Sequence, residues 1–364
     1  MEFRQSPLES VAITMDDLGF YKGKRVFLTG HTGFKGTWLS KILLLAGAEV
    51  MGYALEPATS PNIYSMADVD QHISSIIGDV RDLDLLSKSL TTFKPEIVIH
   101  LAAQPIVRLS YQDPIGTYAT NVMGTAHVLE AIRHCLSVRS FVNVTTDKVY
   151  RNNEWEWGYR ENEVLDGFDP YSNSKSCSEL VTSTYERSFF KERDISISTA
   201  RAGNVIGGGD FAPDRIIPDC IRAALINEPI QVRNPNSVRP YQHVLEPVCA
   251  YLAIAQRQYF DKNIGGRYNI GPDDLDCLTT GQLVDLFCVA WGEDLSWVTH
   301  MAAGPHEANY LRLDCSRARH ILCWNPKWHV DQAIIKTVEW AKCYRAHDDI
   351  SQCMQSQIND YIGI

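Results

Sequence analysis

Two features are scarce in this chain: closely spaced cysteines and long apolar runs. Ten cysteines occur, but no two stand closer than eight positions, so there is no C-x-x-C. The usual zinc spacing is therefore missing, and no metal site is expected. A disulfide framework is also unexpected in a chain of 364 residues whose start, MEFRQSPLESVAITMDDLGF, holds no signal-type apolar core. No stretch approaches the roughly 18 apolar residues of a membrane helix. Positive charge is in deficit, with 34 Lys+Arg against 44 Asp+Glu and a net charge of -10. That disfavours non-specific nucleic-acid binding, yet leaves room for a local basic pocket for a phosphorylated small molecule. Internal repeats and low-complexity segments are lacking. These absences together predict a reduced, cytoplasmic protein with neither nucleic-acid nor membrane partners.

The remaining composition is globular, with 21% charged and 45% hydrophobic residues, which excludes collagen, a coiled coil and wholesale disorder. At roughly 150 residues per domain the length suggests one large or two modest domains. Short β-prone runs at 25–29, 49–55, 74–78, 96–100, 140–145 and 195–199 alternate with helical patterns. The helical stretches are 34–46, 83–93, 118–135 and 170–190. Such alternation predicts an α/β fold, a Rossmann-type doubly wound parallel sheet with helices on both faces. After Asn204 the pattern loosens into a proline- and glycine-rich region, interrupted by helical stretches at 246–259 and 280–291. A smaller, loop-rich C-terminal substrate domain is expected there.

Between the first strand and the first helix lies Gly30-His31-Thr32-Gly33-Phe34-Lys35-Gly36, a G-x-x-G-x-x-G. Glycines let the backbone turn sharply and let a pyrophosphate approach the helix N-terminus. The spacing alone is a weak signal; its place after the first strand makes it a dinucleotide loop. His31 and Lys35 lie within reach of a ribose or a phosphate. Glu56, near the end of the second strand, is where an acid would hold the adenosine ribose, but Pro57 follows it. NAD is therefore favoured over NADP without being fixed. Asp79 and Val80 close the third strand, where an acid meets the adenine edge.

Tyr171 and Lys175 stand four apart on a predicted helix, hence on one face. A lysine ammonium beside a phenol favours the phenolate, and a tyrosine of ordinary pKa ~10 is otherwise a poor base. Upstream, a strand ends in Thr145-Thr146-Asp147-Lys148-Val149-Tyr150. Strand ends in open α/β sheets face the ligand crevice.

With these motifs on the page, the chain resembles the extended short-chain dehydrogenases/reductases, and within them the nucleotide-sugar 4,6-dehydratases. The likeness is carried by TGHTGFKG (29–36), HLAAQP (100–105), TNVMGT (120–125), TTDKVY (145–150), YSNSK (171–175) and RAGNVIGGGD (201–210). It runs from about Phe20 to about Arg345. The resemblance implies that Tyr171 takes the C4 hydroxyl proton while C4 gives a hydride to NAD, with Thr146 bonding that oxygen. The ketone then acidifies C5, a base removes its proton, an acid expels the C6 hydroxyl, and the hydride returns to C6. Asp147 stands at the family's acid position. Lys148 stands where dTDP-sugar relatives carry Glu, so the C5 base stays open between that lysine and another group.

The same resemblance implies a cofactor site of Gly30, His31, Gly33, Phe34, Lys35, Gly36, Asp79, Val80, Leu101, Ala102, Ala103, Thr120, Thr145, Tyr171 and Lys175. Gln104, Asn204, Arg215, Arg233 and Arg239 are the expected substrate contacts, the arginines suiting a pyrophosphate through their planar donor forks. CDP-glucose is the implied substrate, with dTDP-glucose or GDP-mannose as alternatives. A 4-epimerase and a non-catalytic NAD-binding regulator are the weaker readings. Residues 21–204, joined by parts of 240–270, would bind the dinucleotide, and 205–345 the nucleotide sugar. Residues 1–20 would be a flexible arm and 346–364 a tail. By analogy with the family, a homodimer or homotetramer is expected.

Overall fold

The computed structural model describes residues 15–299 and 310–363. Seven parallel strands form the central sheet: β1 (Arg25–Thr29), β2 (Glu49–Ala54), β3 (Ser74–Ile77), β4 (Ile97–His100), β5 (Ser140–Val144), β6 (Ser196–Ala202) and, much later, β10 (Gly266–Ile270). Their order is β10-β6-β5-β4-β1-β2-β3. β4, β5 and β6 are buried along their whole length, because helices cover both faces of a parallel sheet. Only the edge strand β3 is largely exposed.

The strand order reverses at β1, between β2 and β4, and a ligand crevice opens beyond the C-terminal strand ends at such a point. Register brings the functional segments level there. Thr29 pairs with His100 on one side and Tyr53 on the other, and Val144 pairs with Ala200. The His100 imidazole locks this edge, meeting the Thr29 hydroxyl at 2.6 Å and the Thr125 hydroxyl at 3.2 Å.

Two of the expected helices are not α-helical throughout, and the first already starts at Pro114. The 118–135 stretch begins as a π-helical turn, Ala119–Met123, before the α-helix Gly124–Arg133. The reason is local: the Asn121 amide turns inward to bond the Gln104 carbonyl (3.1 Å) and the Ser174 hydroxyl (2.8 Å). The 170–190 stretch is α-helical over Pro170–Tyr185 and π-helical over Glu186–Phe190. Asp169 caps its start by accepting from the Ser172 N–H, with Pro170 at the first helical position.

The region after Asn204 carries strands that the sequence pattern does not reveal. β7 (Asn204–Ile206), β8 (Ile230–Val232), β9 (Val238–His243), β11 (Cys277–Thr279) and β12 (Trp297–Thr299) form two small sheets, β11-β9-β7 and β12-β8. Most are three residues long, too short for an alternation to show. The helix Leu245–Phe260 and β10 return to the first sheet, where the Tyr21 hydroxyl donates to the Leu252 carbonyl.

The described segments nearest both ends pack against the body of the fold. Residues 1–14 lie outside the described residues, but Met15–Gly19 is a short helix with Leu18 buried. The helix Ile350–Ile362 packs on the helix Val330–Ala346 through Met354, Ile358 and Tyr361. The buried Glu246 carboxylate ties these parts together, accepting from the Tyr361 hydroxyl (2.7 Å) and the Trp328 (2.7 Å) and Lys327 (3.0 Å) N–H groups.

Candidate active site

The glycine loop joins β1 to the helix Phe34–Leu45 at the switch point. Gly30 has φ +78°, and a Cβ on Gly36 would lie 2.1 Å from the Gly30 carbonyl oxygen. No other residue type could close the loop so tightly. Gly33 caps the helix without a side chain, so the first N–H groups have no side-chain acceptor. Phe34 packs towards Gly207, and the Lys35 amine has no hydrogen bond or ion pair among the described residues. Burial, then Arg215, pushes that amine down to about 8. An open helix N-terminus beside an unpaired lysine fits a dinucleotide pyrophosphate.

The other expected cofactor residues ring this loop. His31 is buried beneath it, bonded through Nε2 to the Ser75 hydroxyl at 2.8 Å, and burial lowers it to about 4. Leu101, Ala102 and Ala103 follow β4, and the Ala102 N–H donates to the Thr29 hydroxyl. Val80 is buried and its carbonyl meets the His127 ring. The Asp79 carboxylate is engaged by the exposed Arg81 guanidinium at 2.5 Å. Thr120 sits in the π-helical turn.

The catalytic helix Pro170–Tyr185 carries Tyr171 and Lys175 on one buried face. Lys175 donates from Nζ to the Val144 carbonyl at 3.0 Å. Burial, then Lys35, lowers its amine to about 7. Burial of the pair works against the expected phenolate. Burial pushes Tyr171 up to about 12, against which the neighbouring Thr146 hydroxyl works only in part.

The loop after β5 supplies the carboxyl group. The Thr146 hydroxyl donates to Asp147 Oδ1 at 3.0 Å, while Oδ2 is buried with no hydrogen-bond partner among the described residues. Burial raises the Asp147 carboxyl, opposed by Lys148, Arg239 and Lys35. Burial of this kind favours the protonated form, the form that can donate a proton. It also fits tightly: a Cβ on Gly203 would lie 3.1 Å from Oδ2 and 2.8 Å from Pro240 Cγ. Lys148 is half-buried and close enough to act on the Asp147 carboxyl.

The expected substrate residues divide. Arg239 is buried on β9, and its charge reaches Asp147. Asn204 opens β7 beside Tyr241 of β9. Arg215 acts on both Tyr171 and Lys35 and is paired with Asp210 at 2.8 Å. Arg233 instead pairs with Asp214 at 2.5 Å and Asp219 at 3.5 Å. The Gln104 amide is taken up within its own loop, donating to Thr117 and accepting from the Ile106 N–H.

Sequence reasoning missed a buried ion pair behind this site. Glu179 and Arg201 are 1% and 2% exposed and bonded through both carboxylate oxygens. Glu179 continues the four-residue spacing of Tyr171 and Lys175, which is the signal that could have found it. Its acceptors also take the Thr145 hydroxyl at 2.6 Å and the Thr199 hydroxyl at 3.0 Å.

Comparison with known proteins agrees with this arrangement. The family model described as GDP-mannose 4,6 dehydratase matches residues 27–337. A CDP-glucose 4,6-dehydratase of Salmonella typhimurium strain LT2 is 48% identical over 355 residues, covering 96% of this chain and 99% of that one. A dTDP-glucose 4,6-dehydratase of Streptomyces antibioticus is 29% identical over 338 residues, covering 88% of this chain and 93% of the other. Among solved structures, the NAD-bound dTDP-glucose 4,6-dehydratase of Streptomyces venezuelae superposes with TM-score 0.77 at 24% identity. It covers 90% of this chain and 99% of that one, and establishes likeness of fold.

Proposed function

The chain belongs to the GDP-mannose 4,6-dehydratase family, and within it we propose that the protein is an NAD-dependent hydro-lyase acting on CDP-D-glucose. The product is CDP-4-dehydro-6-deoxy-D-glucose. The observation that carries the reaction class is Asp147: a buried carboxyl group with an unpartnered oxygen, one loop away from the Tyr171–Lys175 pair. An epimerase has no use for such an acid. The choice of CDP rests on the 48% identity with the Salmonella enzyme.

NAD, when bound, supplies the hydride acceptor and returns that hydride at the end of the cycle. The chain's own residues do the rest. Gly30, Gly33, Gly36 and the helix N-terminus receive the pyrophosphate, with Lys35 as counter-charge. His31, Phe34, Asp79, Val80, Leu101, Ala102, Ala103, Thr120 and Thr145 complete the cofactor walls. Tyr171 accepts the C4 hydroxyl proton, Thr146 orients that oxygen, and Lys175 stands one turn along the same helix face, bonded to the Val144 carbonyl. Asp147 protonates the departing C6 hydroxyl. Lys148, next to Asp147 in the loop, could in its neutral form take the C5 proton and give it back to C5 when C6 receives the hydride. Asn204, Arg215 and Arg239 face the sugar diphosphate, with Gln104 and Arg233 at the margin of that site. Residues 21–204 with parts of 240–270 form the dinucleotide half, and 205–345 the sugar half.

We further infer a homodimer or homotetramer in the cytoplasm. Exposed apolar side chains gather on the helices Val107–Gln112, Pro114–Tyr118 and Pro170–Tyr185, namely Leu109, Ile115 and Leu180. All ten cysteines are free, which suits a reducing compartment, and no helix among the described residues is long and apolar enough to cross a membrane.

The test is mass spectrometry of CDP-glucose incubated with the protein and NAD, beside dTDP-glucose and GDP-mannose. Loss of one water from CDP-glucose alone is expected. Water loss only from another sugar would keep the chemistry and overturn the substrate. No loss from any would overturn the dehydratase reading.

A further inference from the structure

We propose that the buried Glu179–Arg201 pair is a positioning device for the elimination half of the reaction, gripping the acid-bearing loop at both of its ends. The inference rests on the dehydratase reading above.

A buried ion pair is costly unless hydrogen bonds complete it. Here they are complete, and they lead to the loop. Glu179 Oε1 accepts from the Thr145 hydroxyl at 2.6 Å and from Arg201 Nε at 2.7 Å. Oε2 accepts from the Thr199 hydroxyl at 3.0 Å and from Arg201 Nη2. Arg201 Nη1 donates to the Tyr150 hydroxyl at 2.7 Å and to the Glu161 carbonyl at 3.0 Å. The guanidinium also lies over the Tyr150 ring, 4.9 Å from its centroid. The Tyr150 hydroxyl passes its own proton to Asn269 Oδ1 at 2.6 Å, which fixes its orientation.

Thr145 immediately precedes Thr146, and Tyr150 immediately follows the turn Asp147–Val149. Everything between them is the segment that carries the acid. The pair itself bridges the catalytic helix, through Glu179, and β6, through Arg201. Loop, helix and sheet are thereby keyed to one another by a single salt bridge. Asp147 has little else to hold it, since only one of its oxygens is bonded among the described residues.

A merely structural pair and a positioning pair differ in what they leave intact. Tyr171 and Lys175 ride on the helix, and Thr146 is held through Thr145. Tyr150→Phe keeps the ring and frees only the far end of the loop, where the turn Asp147–Val149 closes. C4 oxidation should then proceed while water loss lags. A displacement of about 1 Å costs up to roughly 100-fold in rate.

The experiment compares single-turnover traces of the wild type, Tyr150→Phe, Thr199→Val and Thr145→Val with CDP-glucose and NAD, with melting curves for each. Nicotinamide absorbance reports C4 oxidation and mass spectrometry reports water loss. In Tyr150→Phe, kcat for water loss should fall on the order of 10- to 100-fold with KM unchanged, and reduced nicotinamide should accumulate. Thr145→Val should slow both steps, because it releases Thr146 as well. Thr199→Val removes a bond from the same carboxylate but touches neither loop end, so the wild-type ratio of the two steps should persist. Should Tyr150→Phe not fold, Asn269→Ala removes the acceptor that orients the same hydroxyl while leaving the Arg201 bond, and should give a smaller accumulation of the same kind. Equal loss of both steps in Tyr150→Phe, or no loss, would overturn the proposal, as would accumulation in Thr199→Val. A wild type that oxidises C4 without losing water, or does neither, would instead sink the dehydratase reading, and this inference with it.

Discussion

At the scale of single residues, the site turns on a carboxyl group taken out of water. Asp147 is 1% exposed and raised by burial, whereas an exposed aspartate would be ionised at neutral pH. Asp147→Asn should slow water loss by roughly 10²–10⁴-fold while C4 oxidation continues, so reduced nicotinamide should build up. Full turnover in that variant would overturn the acid assignment. Gly203 is the neighbour that makes the position possible. Gly203→Ala places a methyl 3.1 Å from Asp147 Oδ2 and 2.8 Å from Pro240 Cγ, and a buried loop of this kind relaxes little. It should cost about 1–3 kcal/mol in a denaturant melt and lower the rate of water loss; an unchanged variant would mean that the loop gives way freely. Tyr171→Phe, by contrast, removes the group that starts the cycle. It should abolish nicotinamide reduction and water loss together, and survival of either step would transfer the role to another residue.

At the scale of elements, a periodic stretch was legible when it was long and a short one was not. Leu83–Phe93 and Thr280–Trp291 are found where the pattern predicts them, because caps and apolar spacing agree there. The π-helical turns were hidden, since a π-turn changes one hydrogen bond and not the apolar spacing. The three-residue strands past Asn204 were hidden for want of length. The glycine loop and the Tyr171–Lys175 face could be read from spacing together with their place among the strands and helices, because local geometry dictates both. Glu179–Arg201 could not, since its partner lies on a strand 22 positions away. One element remains conspicuous for its surface. Ile115 is 79% exposed and Leu180 54% exposed, on neighbouring helices. Ile115→Asp combined with Leu180→Asp should shift sedimentation at micromolar concentration towards the monomer, with the fold retained by circular dichroism. An unaltered oligomer would place the interface elsewhere.

At the scale of the molecule, three imidazoles sit deep in the fold. His31, His100 and His243 are lowered by burial to about 4, about 3 and about 3. His243 lies between Trp38 and Trp328, whose rings leave no room for water. An unfolded histidine protonates near pH ~6.5, so between there and about 4 the unfolded chain binds more protons than the folded one. This stability is fully present above pH ~6.5 and drains away as pH falls. Melting temperature should therefore decline through that window, by about 2–4 °C for each kcal/mol lost in a chain of this order of size. A flat profile from neutral pH to about 4 would show that other groups compensate. The Glu246 anchor has a consequence of timing. Its carboxylate lies mid-chain but receives the Tyr361 hydroxyl from a helix that leaves the ribosome after all that it packs upon. The core made during synthesis is therefore unfinished, with a face of Trp328 and its neighbours waiting for that last helix. A chain truncated before Ile350 should be cut by protease faster than the chain that keeps this helix.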